Sequence, residues 1–227
     1  DLVGHVLKTL EHEGLADNTL VIFTSDHGDY AGQYGINEKW DTSLQDCLLH
    51  VPLIMAGPEV PAGKRLAGLS EHVDLPATLT DYLGLKPDKT WVWHGHSMLP
   101  MLEGGSGKTA VFADGGHEAA MRARFDAPTW EVRNGRKVKA TGGKQLTYAK
   151  CPDAMARSKM VRTEEWKLVI RETGGNELFH LSADPYEMTN LYGDPAYASI
   201  VCELQLHLIE WCLRTDTDRP FLESFGA

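Results

Sequence analysis

The chain has 227 residues, of which 42% are apolar and 24% charged, the balance of a folded globular protein rather than a disordered one. Its 22 basic and 32 acidic residues give a formal net charge of −10, which argues against a general nucleic-acid surface because phosphate binding needs clustered Lys and Arg. No apolar run approaches the roughly 20 residues that cross a bilayer, so we expect no membrane span.

The first half of the chain alternates helical and strand-like segments. Residues 1–15 carry apolar residues at helical spacing, which predicts an amphipathic helix. Short apolar runs at 19–25 and 51–57 predict two parallel strands of an α/β sheet, each covered on both faces. A second helix is expected over 72–85, with Asp74 as its N-cap. Because the helical pattern is already present at the first residues and no initiator Met precedes it, we expect the chain to be a piece of a longer protein.

The second half favours antiparallel structure. Residues 109–116 predict a third inner strand, and the polar stretch 131–148, with Asn-Gly and Gly-Gly turns, favours a long loop or a hairpin. Residues 158–181 alternate around a Thr-Gly-Gly-Asn turn, which predicts antiparallel strands. The apolar face of 198–215 predicts a helix that docks on its neighbours.

Polar residues follow the first predicted strand. Asp26 and His27 come where the run 19–25 ends, and open α/β sheets bind ligands beyond the carboxyl ends of their strands. A carboxylate oxygen and an imidazole nitrogen suit a divalent cation, and Gly28 would allow a sharp backbone turn beside them. Taken alone, Asp-His-Gly is also typical of an ordinary capped loop, so these residues by themselves leave both interpretations open.

Several segments together resemble the sulfatase family of the alkaline-phosphatase-like superfamily. Thr-Ser-Asp-His-Gly ends an apolar run and is followed by a glycine-bearing loop, by Lys39 and by the Val-Pro-Leu-Ile run at 51–54. Similar segments are "HGHSMLPMLEG" at 94–104 and the stretch 160–197, which contains "ELFHL" and "DPYEMTNL". The resemblance covers most of the chain and is weakest over 117–157.

The resemblance implies an α/β fold, with an alkaline-phosphatase-like mixed sheet flanked by helices and a small C-terminal antiparallel sheet and helix. Residues 1–116 would form the C-terminal half of the α/β core. Residues 117–227 would form a long loop followed by the antiparallel subdomain and its helix.

The resemblance also implies an active site. Asp26 and His27 would be two ligands of a divalent cation, with Ca²⁺ expected ahead of Mn²⁺ or Zn²⁺. Lys39 would bind the substrate sulfate, where an ammonium neutralises charge on an oxygen; the alternative is a surface lysine whose stem lies on Trp40. Independently of the resemblance, His117 ends a predicted strand and could line the substrate pocket, although a polar loop at a strand end is the commoner explanation for such a residue.

The nucleophile of the family is not found in this sequence. It is a formylglycine made from Cys or Ser in a Cys/Ser-x-Pro/Ala-x-Arg motif, and the nearest similar stretch begins at Cys151. Asp153 occupies the Pro/Ala position there and the arginine is Arg157, two positions too late, so we exclude Cys151. The family carries the motif and two more metal-binding aspartates in its N-terminal half. We therefore expect the chain to be a C-terminal portion that is inactive alone, with the formylglycine in the missing half.

The implied function is hydrolysis of a sulfate ester, on a small molecule or a carbohydrate, by a metal-dependent sulfatase. One alternative is a phosphodiesterase or phosphonate monoester hydrolase of the same superfamily. Another is a non-catalytic interaction module derived from a sulfatase. No nucleic-acid partner is expected, and a cytoplasmic, periplasmic or secreted location would depend on the missing N-terminus.

Overall fold

The computed structural model describes residues 1–40, 42–86, 93–118, 130–139 and 151–215. Its helices are α1 (Leu2–His12), α2 (Asp46–Leu49), α3 (Asp74–Tyr82), α4 (Leu99–Leu102) and α5 (Ala198–Thr215). Its strands are β1 (Val21–Thr24), β2 (Leu53–Ala56), β3 (Val111–Gly115), β4 (Trp130–Arg133), β5 (Arg136–Lys139), β6 (Ser158–Arg162), β7 (Trp166–Arg171) and β8 (Glu177–His180). None of the helices in these ranges has the length and apolar character needed to cross a membrane.

The strands β1 and β2 pair with each other in a two-stranded sheet. They are antiparallel, with Val21 opposite Ala56 and Thr24 opposite Leu53, so the prediction of parallel strands is wrong. A parallel pair needs a crossover that packs on its own sheet. Here the helix in the connection, α2, lies against the C-terminal sheet instead, because its last residue, Leu49, and Leu44 just before it pack with residues of that sheet.

The faces of this small sheet are also more open than predicted. Phe23 and Leu53 are exposed, and Ile54 is 58% exposed. The prediction that both strands are buried on two faces is therefore wrong for this chain. An apolar run is compatible with a buried strand, but the run does not specify which segment covers it.

The second sheet has the strand order β3-β6-β7-β8, and all its neighbours are antiparallel. This confirms the antiparallel strands predicted over 158–181. The strand predicted at 109–116 forms as β3, but it lies at one end of this sheet and not inside it, and it pairs with β6, with Phe112 opposite Val161 and Ala113 opposite Met160. In this register Phe112 and Val161 face the α5 side of the sheet, and Ala113 and Met160 face the α2 side. The boundary between 116 and 117 stays a prediction, although β3 lies before it and pairs with a strand after it.

Both faces of the second sheet are covered. On one face, Leu204 and Leu208 of α5 pack against buried residues of three strands, namely Val161, Leu168 and Leu178. Ile200, Val201 and Trp211 border the same cluster, which confirms the predicted docking helix. On the other face, Leu44 packs with Met160 and Val169. The sheet therefore joins α5 to the segment that contains α2.

The strands β4 and β5 form a hairpin around Asn134 and Gly135. Both turn residues have positive φ, 51° and 76°, which is the backbone that an Asn-Gly hairpin turn requires. The hairpin predicted within 131–148 is thus confirmed over its first part. The Gly-Gly turn at 142–143 lies outside the described residues.

The helix α3 begins at Asp74, which is its first helical residue and not its N-cap as predicted. The Asp74 carboxylate, 1% exposed, accepts the backbone N–H groups of Glu71 and His96, each at 2.8 Å. Lys108 Nζ lies 2.7 Å from the same carboxylate. The side chain that we expected to cap the helix therefore ties the helix to two neighbouring loops and to the segment before β3.

Candidate active site

The predicted metal ligands lie in a tight turn directly after β1. The Ser25 hydroxyl donates to the His27 carbonyl at 2.7 Å, and the His27 backbone N–H donates to Asp26 Oδ1 at 3.0 Å. Ser and Asp side chains form such local bonds readily, and these bonds compete with strand pairing. The sequence therefore ends the strand here and holds Asp26 and His27 next to each other.

Gly28 fixes this turn against α2. Its backbone N–H donates to the Leu48 carbonyl at 2.7 Å. A Cβ atom at position 28 would lie 1.9 Å from the Cys47 carbonyl oxygen, which is far inside van der Waals contact. The glycine is thus needed for a close approach between two backbones, and not chiefly for the sharp turn that the sequence suggested.

Lys39 reaches back to the imidazole of His27. The distance from Lys39 Nζ to His27 Nε2 is 2.6 Å, and His27 Nδ1 lies 2.6 Å from the Gly28 carbonyl oxygen. Because a carbonyl only accepts, we assign the ring proton to Nδ1, and Nε2 then accepts from the lysine ammonium. Asp26 Oδ2 lies 3.4 Å from the same Nε2. The structure thus brings the three predicted residues together at one nitrogen atom.

The charges at this point are an exposed carboxylate and an exposed ammonium. The Asp26 side chain is 84% exposed, and its pKa is lowered chiefly by the hydrogen bond from the His27 backbone N–H, with a further contribution from Lys39. Asp26 is therefore ionised at neutral pH. Lys39 is exposed, and the Trp40 indole next to it donates to the Asn37 carbonyl at 3.3 Å, so the role of Lys39 in sulfate binding stays a prediction.

The donors fit part of a divalent-cation site. An ionised carboxylate and an imidazole nitrogen are suitable ligands. The bond from Nδ1 to Gly28 leaves the electron pair on Nε2, which accepts from Lys39 here and would bind a cation in place of that contact. Among the residues that the structure describes, no three His, Cys, Asp or Glu side chains cluster as a metal site. Asp26 and His27 would therefore supply two ligands of a larger set.

The loop between Gly28 and Lys39 is anchored at two tyrosines. Tyr30 is 2% exposed and its hydroxyl donates to Gln45 Oε1, beside α2. The Tyr34 hydroxyl donates to the Tyr186 carbonyl at 2.7 Å, and the rings of Tyr30 and Tyr34 meet edge to face at 5.7 Å. The position of Lys39 therefore depends on contacts with α2 and with the loop after β8.

His117 lies elsewhere in the fold, just after β3. Its backbone N–H donates to the Met155 carbonyl at 2.8 Å, and it forms an isolated parallel bridge with Ala156. The adjacent cleft is open, has a volume of about 210 Å³ and is lined by Asp114, Gly115, Gly116, Glu118 and Arg157. The role of His117 in substrate binding stays a prediction.

Sequence reasoning missed a buried ion cluster beneath α2. Lys167 Nζ lies 2.9 Å from Asp46 Oδ1 and 2.6 Å from Glu187 Oε1, and Arg162 Nε lies 3.2 Å from Asp46 Oδ2. Burial acts to raise the pKa of Asp46, but Lys167 and then Arg162 outweigh it, so the pKa is lowered. One signal was available in the sequence, because Lys167 stands within the apolar strand "WKLVI".

Comparison with known proteins relates this geometry to a family. Residues 1–85 match the sequence model of the Sulfatase family. Residues 145–213 match the model of the C-terminal region of N-sulphoglucosamine sulphohydrolase. The first match contains Asp26, His27 and Lys39, and the second contains most of the antiparallel sheet and nearly all of α5.

Curated relatives match nearly the whole chain. PehA, a multifunctional alkaline phosphatase superfamily protein of Trinickia caryophylli, is 31% identical over 94% of this chain and 38% of its own length. Arylsulfatase K of Mus musculus is 28% identical over 84% of this chain and 30% of its own. Choline-sulfatase of Rhizobium meliloti is 29% identical over 85% of this chain and 31% of its own length. The chain thus spans less than two fifths of the length of these relatives.

Solved structures show the same relationship. A 2-O GAG sulfatase superposes with a TM-score of 0.73 at 26% identity, over 95% of this chain and 41% of the other. A protein in complex with its substrate D-glucosamine-2-N,6-O-disulfate gives 0.70 at 25% identity, over 96% and 39%. The phosphonate monoester hydrolase of Agrobacterium radiobacter gives 0.71 at 26% identity, over 93% and 38%. From its sequence matches and its alkaline-phosphatase-like α/β fold, the chain belongs to the sulfatase family.

Proposed function

We propose that the chain contributes the C-terminal part of a metal-dependent sulfuric ester hydrolase. The observation that carries the proposal is the convergence of Asp26, His27 and Lys39 at the end of β1, with Lys39 Nζ 2.6 Å and Asp26 Oδ2 3.4 Å from His27 Nε2. Two donors for a cation and a lysine ammonium are thus concentrated at one exposed point. The match of residues 1–85 to the Sulfatase family supports the same interpretation.

Asp26 and His27 would hold the divalent cation. The carboxylate is exposed and ionised, and the hydrogen bond between Nδ1 and Gly28 keeps the electron pair of His27 on Nε2, where the cation would replace the contact with Lys39. Ca²⁺ is proposed first, with Mn²⁺ or Zn²⁺ as alternatives because one ligand is an imidazole. When bound, the cation would stabilise negative charge on the substrate oxygens.

Lys39 would bind the anionic group of the substrate. Its ammonium carries three donors, and the one that contacts His27 Nε2 would be released when the cation binds that nitrogen. The remaining donors can bind sulfate oxygens, and a positive charge there would stabilise the charge that develops as the S–O bond breaks. The nucleophile, a formylglycine, is proposed to come from outside this chain.

The proposed substrate is a sulfate ester, on a small molecule or a carbohydrate. The similarity to choline-sulfatase supports a small-molecule ester, and the similarity to the protein bound to D-glucosamine-2-N,6-O-disulfate supports a carbohydrate ester. His117 is proposed only as a contact of the substrate at the cleft beside Arg157.

Substitutions in the full-length protein test this proposal. Asp26→Ala and Lys39→Ala should each lower kcat/KM for an aryl sulfate by roughly 10²–10³-fold, the loss typical for one group that stabilises transition-state charge. Asp26→Ala should also weaken Ca²⁺ binding in titration calorimetry, whereas Lys39→Ala should not. Lys8→Ala, on the exposed surface of α1, is the matched control. Turnover close to wild type in both site variants would refute the proposal.

A second candidate is hydrolysis of phosphonate monoesters or phosphodiesters. The similarity to the phosphonate monoester hydrolase of Agrobacterium radiobacter, with a TM-score of 0.71, favours it. Paired aryl esters that differ only in sulfate, phosphonate or phosphodiester separate the two functions. A higher kcat/KM for either phosphorus ester would select this candidate over the sulfatase.

A further inference from the structure

The turn that carries Asp26 and His27 is held by α2. Gly28 follows His27 directly in the chain, and its backbone N–H donates to the Leu48 carbonyl of α2 at 2.7 Å. Gly28 also lies so close to the Cys47 carbonyl that no side chain fits between them. A shift of α2 would therefore move the backbone of His27.

The four-residue helix α2 is in turn held by the C-terminal sheet through its first residue, Asp46. The carboxylate of Asp46 binds Lys167 at 2.9 Å and Arg162 at 3.2 Å, and its backbone N–H donates to Glu187 Oε2 at 2.7 Å. The Lys167 side chain is fully buried and that of Glu187 is 1% exposed, with their charged groups 2.6 Å apart. These contacts hold both the side chain and the backbone N–H of Asp46, so they fix the position and the direction of α2.

The loop that supplies Glu187 also holds the Lys39 loop. Glu187 has a φ of 55°, and its backbone N–H donates to the Asp184 carbonyl at 3.1 Å. The neighbouring Tyr186 carbonyl accepts the hydroxyl of Tyr34 at 2.7 Å. Lys167 therefore pairs with Glu187, whose loop contacts the Lys39 segment, and with Asp46, whose helix contacts Gly28, the residue after His27.

The cluster contains two cations and two carboxylates, so its charges balance. Lys167 is the member that touches both carboxylates. Loss of its ammonium would leave Glu187 as a buried charge without its ion pair, a state that costs far more than the ion pair contributes. The expected response is a movement of Glu187 and of the peptide that it binds, which belongs to α2.

We infer that Lys167 is a positioning residue of the Asp26–His27–Lys39 site. It acts from the C-terminal sheet through Asp46 and Glu187, and it sets where α2 and the Lys39 loop place the imidazole and the ammonium. The expected effects on activity and metal binding rest on the proposed function. The geometric effect on the turn at Gly28 does not.

The test compares Lys167→Met with Lys108→Met in the full-length protein. Lys108 is the matched control because it also pairs with a buried aspartate, Asp74, whose contacts lie around α3 and not around α2. Three readouts are required: hydrogen exchange of the peptide around Gly28, Ca²⁺ affinity by titration calorimetry, and kcat and KM per folded enzyme for an aryl sulfate.

We expect Lys167→Met to speed exchange around Gly28 by about tenfold or more, and to lower Ca²⁺ affinity or kcat by roughly 10–100-fold, the usual effect of removing a group that orients a metal ligand. Lys108→Met should change none of these three in the folded enzyme. If Lys167→Met does not fold, Lys167→Met/Glu187→Gln removes the unpaired buried charge and keeps an acceptor for the Asp46 N–H. It still frees the Asp46 carboxylate from Lys167, so it should show the same three changes to a smaller extent.

Two results separate this inference from the proposed function. If no sulfate ester is hydrolysed and no Ca²⁺ binds, faster exchange around Gly28 in Lys167→Met still supports the positioning role. If exchange around Gly28 in the Lys167 variants stays at the wild-type rate, or changes equally in Lys108→Met, the inference is overturned whatever the activity.

Discussion

At the level of single residues, the site depends on a backbone contact that only glycine permits. A Cβ at position 28 would meet the Cys47 carbonyl at 1.9 Å, whereas a Cβ at Gly4, in α1, would meet no atom within 4 Å. We expect Gly28→Ala to lower the free energy of unfolding by about 1–3 kcal/mol, since overpacking forces the backbone apart. Gly4→Ala should leave it equal or higher, because alanine favours the helix. Urea denaturation measures both, and equal stabilities would contradict the contact.

A second residue with a specific expectation is Asp46. Its pKa in the folded chain lies below the ordinary value of 3.8, because Lys167 and Arg162 outweigh the effect of burial. A lowered carboxyl pKa stabilises the fold above the ordinary value, and this contribution is lost as pH falls through the folded pKa. We therefore expect the free energy of unfolding of Asp46→Asn to fall less below pH 4 than that of wild type. Urea denaturation between pH 7 and pH 3 measures the difference, and parallel curves would contradict it.

Among the elements, α5 carries much of the core on one face of the C-terminal sheet. Leu204 is 2% exposed, and Leu206, two residues along the same helix, is 60% exposed. Leu204→Ala should cost about 2–5 kcal/mol through lost burial and a cavity. Leu206→Ala should stay within about 0.5 kcal/mol of wild type. Thermal or urea denaturation tests the pair, and a similar loss in both variants would show that α5 does not dock by the predicted face.

The same helix shows what the sequence determines well. The apolar positions of α5 recur at helical spacing, so its burial follows from local pattern alone. Likewise Asp26, His27 and Lys39 were predicted because they follow one apolar run within a family motif. The pairing of β1 with β2, and of β3 with β6, was not predictable in the same way. An apolar run predicts a strand, but whether the strand is covered, its direction and its partner depend on distant segments.

Lys167 was missed for a related physical reason. A lysine is almost never fully buried unless it is paired, and its two partners, Asp46 and Glu187, lie far from it in sequence. Either partner alone resembles a residue of the solvated surface. Only the fold brings the three side chains together, so a local pattern could flag Lys167 as unusual but could not assign its role.

For the whole molecule, a notable feature is that α1, β1 and β2 expose several large apolar side chains. None of the residues of α1 is buried, and Leu2, Val6, Phe23 and Ile54 are all exposed. An 11-residue helix without a buried face is marginal on its own. In the isolated chain we therefore expect the amides of α1 to exchange with solvent much faster than those of α5. Hydrogen exchange followed by NMR measures this, and equal protection in both helices would contradict it.

The stacking of Trp211 on Phe112 should give the C-terminal sheet and α5 a near-ultraviolet circular dichroism signal. The Trp211 indole of α5 lies parallel to the Phe112 ring of β3, with 5.2 Å between centroids and 2° between planes. The Lys159 ammonium lies 4.7 Å from the indole centre. A rigid asymmetric setting of this kind produces near-ultraviolet circular dichroism, which disappears when packing loosens even while helical signal persists. The near-ultraviolet signal of Trp211 therefore distinguishes an α5 that is packed on the sheet from one that is still helical but detached from it.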